Sequence, residues 1–240
     1  MVYIGVDGCR KGWFAVVLKG EANWKVKDFP DISSMWNHCS DADLILIDMP
    51  IGLRDRDSKE RACDIKARKL LGAKRGSSVF PSPCRAAIYA DTYEDVNAIN
   101  KLMTGRRLPR QTWGIIPKIR EVDKLLSREM LARSRIREIH PEVCFWALNR
   151  GKPMKYSKKK EEGFLERMEV LLFVYPSAKK VVDYALQEYL RREVARDDIL
   201  DAMVAAVTSS KARQGLLTVP ENPEVDSKGL PMEMVYYPTP

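Results

Sequence analysis

Tyr3 Ile4 Gly5 Val6 Asp7 Gly8 Cys9 Arg10, preceded only by Met1 Val2, is an apolar run that meets one carboxylate and then a glycine. Such a run predicts a strand entering a tight hairpin at Asp7-Gly8, and Gly12 Trp13 Phe14 Ala15 Val16 Val17 Leu18 predicts the returning strand. Asp7 is then expected at the tip of a core strand. A carboxylate there is costly to desolvate unless it meets a cation or several donors. Two readings follow: a turn residue bonding its own backbone, or a metal ligand.

Outward from this stretch, Trp24 Lys25 Val26 Lys27 Asp28 Phe29 alternates apolar and polar residues, which predicts a third, half-exposed strand and hence an antiparallel meander. Residues 32–39 predict a short helix. Leu44 Ile45 Leu46 Ile47 Asp48 Met49 Pro50 Ile51 Gly52 Leu53 is a continuous apolar run, the pattern of a parallel strand covered on both faces, and it too ends on an aspartate. If the strands 3–6 and 44–47 run parallel, their carboxyl ends put Asp7 and Asp48 in one crevice. Two like charges that close repel, and a divalent cation is the simplest way to hold them.

Residues 57–71 predict a helix opened by a capping box of Asp57 and Glu60, closed by Gly72, with Ala62, Ile65 and Leu70 on its apolar side and its lysines and arginines on a solvated face. Residues 73–136 turn irregular and basic. Proline-punctuated loops at 76–85 and 108–117, with helices near 93–103 and 117–133, predict an insertion or lid on the sheet within one domain of residues 1–240. The stretch 137–146 predicts a further strand interrupted at Pro141, with His140 and Glu142 on one face. Helices are expected at 159–174, 178–192 and 197–212, and an edge strand at 233–237.

The 240 residues, 45% hydrophobic, suffice for a proper core. No apolar stretch approaches the roughly 20 residues that span a bilayer, and no leader pattern opens the chain, so a cytoplasmic protein without a membrane partner is expected. The 5 cysteines lack metal-binding spacing and read as reduced thiols. A net charge of +8 tilts the partner toward a polyanion.

The last predicted helix carries Asp197, Asp198 and Asp201. An N-cap role explains Asp197 and a dipole role Asp198, but Asp201 lies beyond the first turn, among alanines that admit close approach by another element. Two strand-end aspartates plus Asp198 and Asp201 would supply four oxygen ligands, a set that suits Mg²⁺ or Mn²⁺ better than zinc. A pair of such ions supports phosphodiester hydrolysis. With only 2 histidines, His38 and His140, histidine-based acid–base chemistry has few candidates, and no phosphate-binding glycine motif is present.

The order of elements resembles the ribonuclease H fold, an α/β arrangement of three antiparallel strands followed by parallel strands and flanking helices. The acids Asp7, Asp48, Asp198 and Asp201 resemble the RuvC-type resolvase set, except that Asp48 stands where those enzymes commonly carry glutamate. More closely, Gly5 to Trp13, Asp48 to Leu53, His140 Pro141 Glu142 and Asp197 to Ala202 are similar to the domain of unknown function 429 family, described as predicted nucleases. The similarity extends to Ser78 Val79 Phe80 with Pro83 and Arg85, to Pro117 to Asp123, and to Ser157 Lys158 Lys159 with Gly163 and Arg167.

The resemblance implies a nuclease acting on DNA or RNA with two Mg²⁺ or Mn²⁺ ions on Asp7, Asp48, Asp198 and Asp201. Glu142 is either a fifth acid of the site or the cap of a bend. Arg85, Lys118, Arg120 and Lys158 are the candidates for substrate phosphates, whose contacts would weaken steeply with salt. The alternatives are a phosphotransferase or ATPase of the actin-like superfamily, and a non-catalytic nucleic-acid-binding module.

Overall fold

In a computed structural model describing residues 1–20 and 22–239, a five-stranded mixed sheet has the order β3-β2-β1-β4-β5. Strands β1 (Tyr3–Cys9), β2 (Gly12–Leu18) and β3 (Trp24–Phe29) form the expected antiparallel meander. The hairpin differs in one respect. Strand β1 continues two residues past Asp7, pairing Asp7 with Phe14 and Gly8 with Trp13, and the chain reverses at Arg10-Lys11. Gly12, at φ 136°, closes that turn where a Cβ would overlap the Phe29 carbonyl oxygen. Asp7 is therefore an interior strand residue, not part of the turn.

Helix α1 (Ile32–Cys39) is capped by Asp31, which accepts from Ser34 N at 2.7 Å. Strand β4 (Leu44–Ile47) then runs parallel to β1, with Val6 opposite Ile47, and Asp48 N adds one more bond to Val6 O at 3.0 Å. Next to it lies β5 (Ile136–Glu138), also parallel. This mixed α/β sheet with helices on both faces is consistent with a ribonuclease H-like fold.

Alternation along the strands decides which side chain meets which layer. Tyr3, Phe14, Val16, Leu18, Leu44 and Leu46 face a core shared with α6 (Pro141–Leu148), α7 (Glu161–Val174), α8 (Ala178–Glu188) and α9 (Arg196–Ser210). Ile4, Val6, Trp13, Ala15, Ile45 and Ile47 face the other core, built with α1, α4 (Arg110–Arg128) and α5 (Met130–Arg135). The stretch 73–136 thus supplies much of the second core, and α3 (Tyr93–Thr104) joins it through Val96.

Several boundaries move. Helix α2 spans Ala62–Arg75 and bends at Gly72, where φ is 60°. Its expected capping box does not form: Asp57 accepts from Lys59 N, while Glu60 pairs with Arg68 and Arg106. The buried face carries Cys63, Asp64, Ala67 and Leu71, and Ile65 is exposed. Helix α4 begins at Arg110 and contains Pro117, so most of the expected 108–117 loop is helical. Residues after Glu138 leave the sheet, because Pro141 is preset for the first helical turn and opens α6. His140 and Glu142 consequently belong to a helix start, not to one strand face. At the end of the chain, β7 (Met234–Tyr236) pairs with β6 (Leu217–Val219) in a separate two-stranded sheet rather than edging the main one. Among the described residues no helix is long and apolar enough to cross a membrane.

Candidate metal centre

Period two along the strands aims the acids. Gly5 and Asp7 share one face of β1, Leu46 and Asp48 one face of the β4 line, and that face is the one α9 covers. Gly5 makes the approach possible: a Cβ there would overlap the Ala202 carbonyl oxygen and the Ala206 amide nitrogen, and would lie 2.7 Å from the Ala205 carbonyl carbon. Helix α9 is thereby pressed onto β1 with Asp201 beside the strand ends. Carboxylate oxygens of Asp7, Asp48 and Asp201 all lie within 4.8 Å of one another.

The electrostatics of this trio are unfavourable without a cation. Burial, then Asp48, Asp201 and Asp198, push the Asp7 carboxyl well above the usual range. Burial and Asp201 do the same to Asp48. Burial raises Asp201 as well, although Lys158 works against it. Lys158 Nζ donates to Asp201 Oδ2, and Asp7 Oδ1 accepts from Gly8 N at 2.7 Å. Asp201 is only 1% exposed, yet its Oδ1 has no protein partner. Close oxygen donors, raised carboxyl groups and an orphaned buried oxygen fit a hard divalent cation.

Asp198 stands apart from the trio. Its Oδ2 accepts from Ala195 N at 2.9 Å, closing the start of α9, and burial lifts its carboxyl to about 6. Asp197 lies in the first turn of α9 rather than at the N-cap. Glu142 is buried in the first turn of α6 and paired with Arg167, itself fully buried, while its second oxygen Oε2 is unpartnered.

The candidate phosphate contacts divide. Lys158 lies on Asp201. Lys118 reaches the Gly12 carbonyl and lies 4.7 Å above the Trp13 ring, at the wall of the cavity described next. Arg85 is committed to Asp123 and Asp226, with further bonding to Ser227, and is buried. Arg120 donates to the Ile88 and Ala90 carbonyls. Neither Arg85 nor Arg120 lines the cavity: Arg85 ties the 73–136 stretch to Asp226 and Ser227, and Arg120 ties α4 to residues 88–90 within that stretch.

A cavity of about 1390 Å³ opens over the acids. Asp7, Asp48 and Asp198 line it, together with Lys118 of α4 and the exposed Arg10, Lys159 and Arg191. His140 also lines it. Burial pushes this imidazole down to about 4, its Nε2 lies 3.3 Å from the Ser78 carbonyl and so carries the proton, and Nδ1 is left as a buried acceptor without a partner.

One buried assembly escaped the sequence reading. Arg61, 2% exposed, donates to Asp64, to Glu138 and to the carbonyls of Ile51 and Gly52. Glu138 in turn accepts from Ile51 N at 2.6 Å. The clamp anchors the backbone three residues beyond Asp48 to the end of β5. Cys63, Asp64 and Glu138 also lie close enough together to suggest a metal, but the Arg61 guanidinium already occupies that role. Arg61 ends the charged run 54–61, where a solvated face is the local expectation, and pairing partners 77 residues apart leave no local pattern.

No curated protein and no solved structure matches the chain. A family model does, over residues 5–225, a span that holds the acids, Lys158 and the Arg61 clamp. The chain belongs to the family described as protein of unknown function (DUF429).

Proposed function

We propose that the chain is a divalent-metal-dependent phosphodiesterase that hydrolyses nucleic acid, DNA or RNA. The observation that carries this reading is the convergence of Asp7, Asp48 and Asp201, from two parallel strands and one helix, within 4.8 Å of one another, with Asp7 and Asp48 lining a large cavity. Asp7 and Asp48 would hold Mg²⁺ or Mn²⁺, with Asp201 completing the set through its free Oδ1. A bound ion of this type supplies Lewis acidity and an activated water for phosphodiester hydrolysis.

The remaining chemistry belongs to the chain. Asp198 fixes the start of α9 and hence the place of Asp201. Arg10, Lys159 and Arg191 give the cavity cations for a phosphate backbone, in keeping with the +8 net charge. All five cysteines are free and buried, which suits a reducing cytoplasm.

The test incubates end-labelled single-stranded DNA, duplex DNA and RNA with wild type and Asp48→Asn, in Mn²⁺, Mg²⁺ or chelator. Cleavage of at least one substrate is expected with metal only, and is lost in the variant. Wild type that binds Mn²⁺ yet leaves every substrate intact would overturn the reading.

A further inference from the structure

The turn before α7 is held far more firmly than a solvated lysine loop requires. Glu166 accepts from Lys155 N at 2.7 Å and from Tyr156 N at 3.0 Å. Arg167 donates to the Tyr156 carbonyl at 3.1 Å and the Gly163 carbonyl at 2.8 Å, and its other arm is held by Glu142. Gly163 lets the turn lie flat on the helix: a Cβ there would overlap the Ser157 carbonyl oxygen and lie 3.1 Å from Lys158 N. The side chain that this scaffold delivers to the acids is Lys158.

We propose that the Lys158 ammonium is a built-in cation of the acidic centre, standing in for the second of two metal ions, so that the centre takes a single divalent ion on Asp7, Asp48 and Asp201. The inference rests on the metal-dependent reading above and deepens it. Charge supports it: three carboxylates and one ammonium leave two negative charges, which one divalent ion neutralises. The fourth acid is set apart: Asp198 gives its Oδ2 to Ala195 N and is not one of the acids whose oxygens lie within 4.8 Å of one another, whereas the Lys158 ammonium lies on Asp201. Glu142 then serves as a positioning residue, acting on Lys158 through Arg167.

Calorimetric titration of Mn²⁺ into the full chain, with electron paramagnetic resonance of the loaded protein, reads the stoichiometry directly. Wild type is expected to take one ion with an uncoupled spectrum. Lys158→Met, similar in length but uncharged, is expected to take two, with the broadening of a spin-coupled pair; thermal unfolding checks that it is folded, and Lys158→Gln substitutes if it is not. Two ions in wild type would overturn the inference while leaving the metal-dependent reading standing, as would a single ion of unchanged affinity in the lysine variant. No ion in wild type would overturn both.

Discussion

Gly5 of β1 lies directly against the backbone of Ala202 in α9, with no room for even a methyl group between strand and helix. Asp7 follows Gly5 by two residues on the same face, and Asp201 precedes Ala202 by one. The contact therefore sets the spacing of two of the three acids.

Substituting Gly5→Ala should force α9 away from the sheet. A loss of about 1–3 kcal/mol is expected from overpacking alone, together with weakened Mn²⁺ binding. Urea denaturation and calorimetry measure the two effects, and unchanged Mn²⁺ affinity would show that the spacing of Asp7 and Asp201 is set elsewhere.

The Arg61 and Glu138 clamp should be costly to break from one side. Arg61→Met leaves Asp64 and Glu138 buried without their cation, an expected loss of about 3–5 kcal/mol. Adding Glu138→Gln to Arg61→Met should return part of that loss, because one uncompensated charge disappears. A double variant as unstable as the sum of the singles would contradict the coupling; denaturation midpoints decide it.

The metal-free protein should respond to pH in two opposed ways. Asp198, lifted from its ordinary 3.8 to about 6, binds protons more readily folded than unfolded, so its contribution is fully present below pH 4 and is lost as pH rises through 6. His140, depressed from 6.5 to about 4, does the reverse: its contribution is present above 6.5 and is lost as pH falls through 4. Stability profiles of Asp198→Asn and His140→Asn should therefore differ from wild type with slopes of opposite sign between pH 4 and 6. Parallel profiles would refute the assignment.

Arg85 and Arg120 should matter for folding and not for substrate. Arg85→Met removes the guanidinium shared by Asp123 and Asp226, leaving Asp123 with Lys228 alone as its cation, and should lower the unfolding midpoint. Arg120→Gln should leave the salt dependence of nucleic-acid binding unchanged, since the side chain is spent on the Ile88 and Ala90 carbonyls. In contrast, Lys159→Gln, at the exposed wall of the cavity, should reduce that slope by about one. Fluorescence anisotropy across a salt series separates the three.

Local pattern was enough for the sheet. Strand β4 is a continuous apolar run and the first three strands alternate or carry β-branched residues, so the meander, the parallel run of β4 beside β1 and the nearness of Asp7 to Asp48 were legible in the sequence, although Asp7 lies inside β1 and not at its tip. The i, i+3 spacing also marked Asp201 as an acid that helix capping does not explain. Where tertiary contacts outweighed local preference, the reading missed. The Asp57 capping box yielded to ion pairs of Glu60 with distant arginines, and the strand expected after Glu138 yielded to a helix begun by Pro141.

By itself, then, the sequence determined the antiparallel meander, the parallel strand beside it and a set of four acids of which three lie together, because hydrophobic period and strand-end chemistry are local properties. Only the tertiary structure decided what each basic residue does. Arg61, Arg85, Lys118, Arg120, Arg167 and Lys158 are alike as charges in a string of residues, and they are separated only by long-range burial: a guanidinium taken from water is stable only beside its carboxylates and carbonyls, and an ammonium held by a rigid turn against Asp201 becomes part of the acidic centre rather than of its surface.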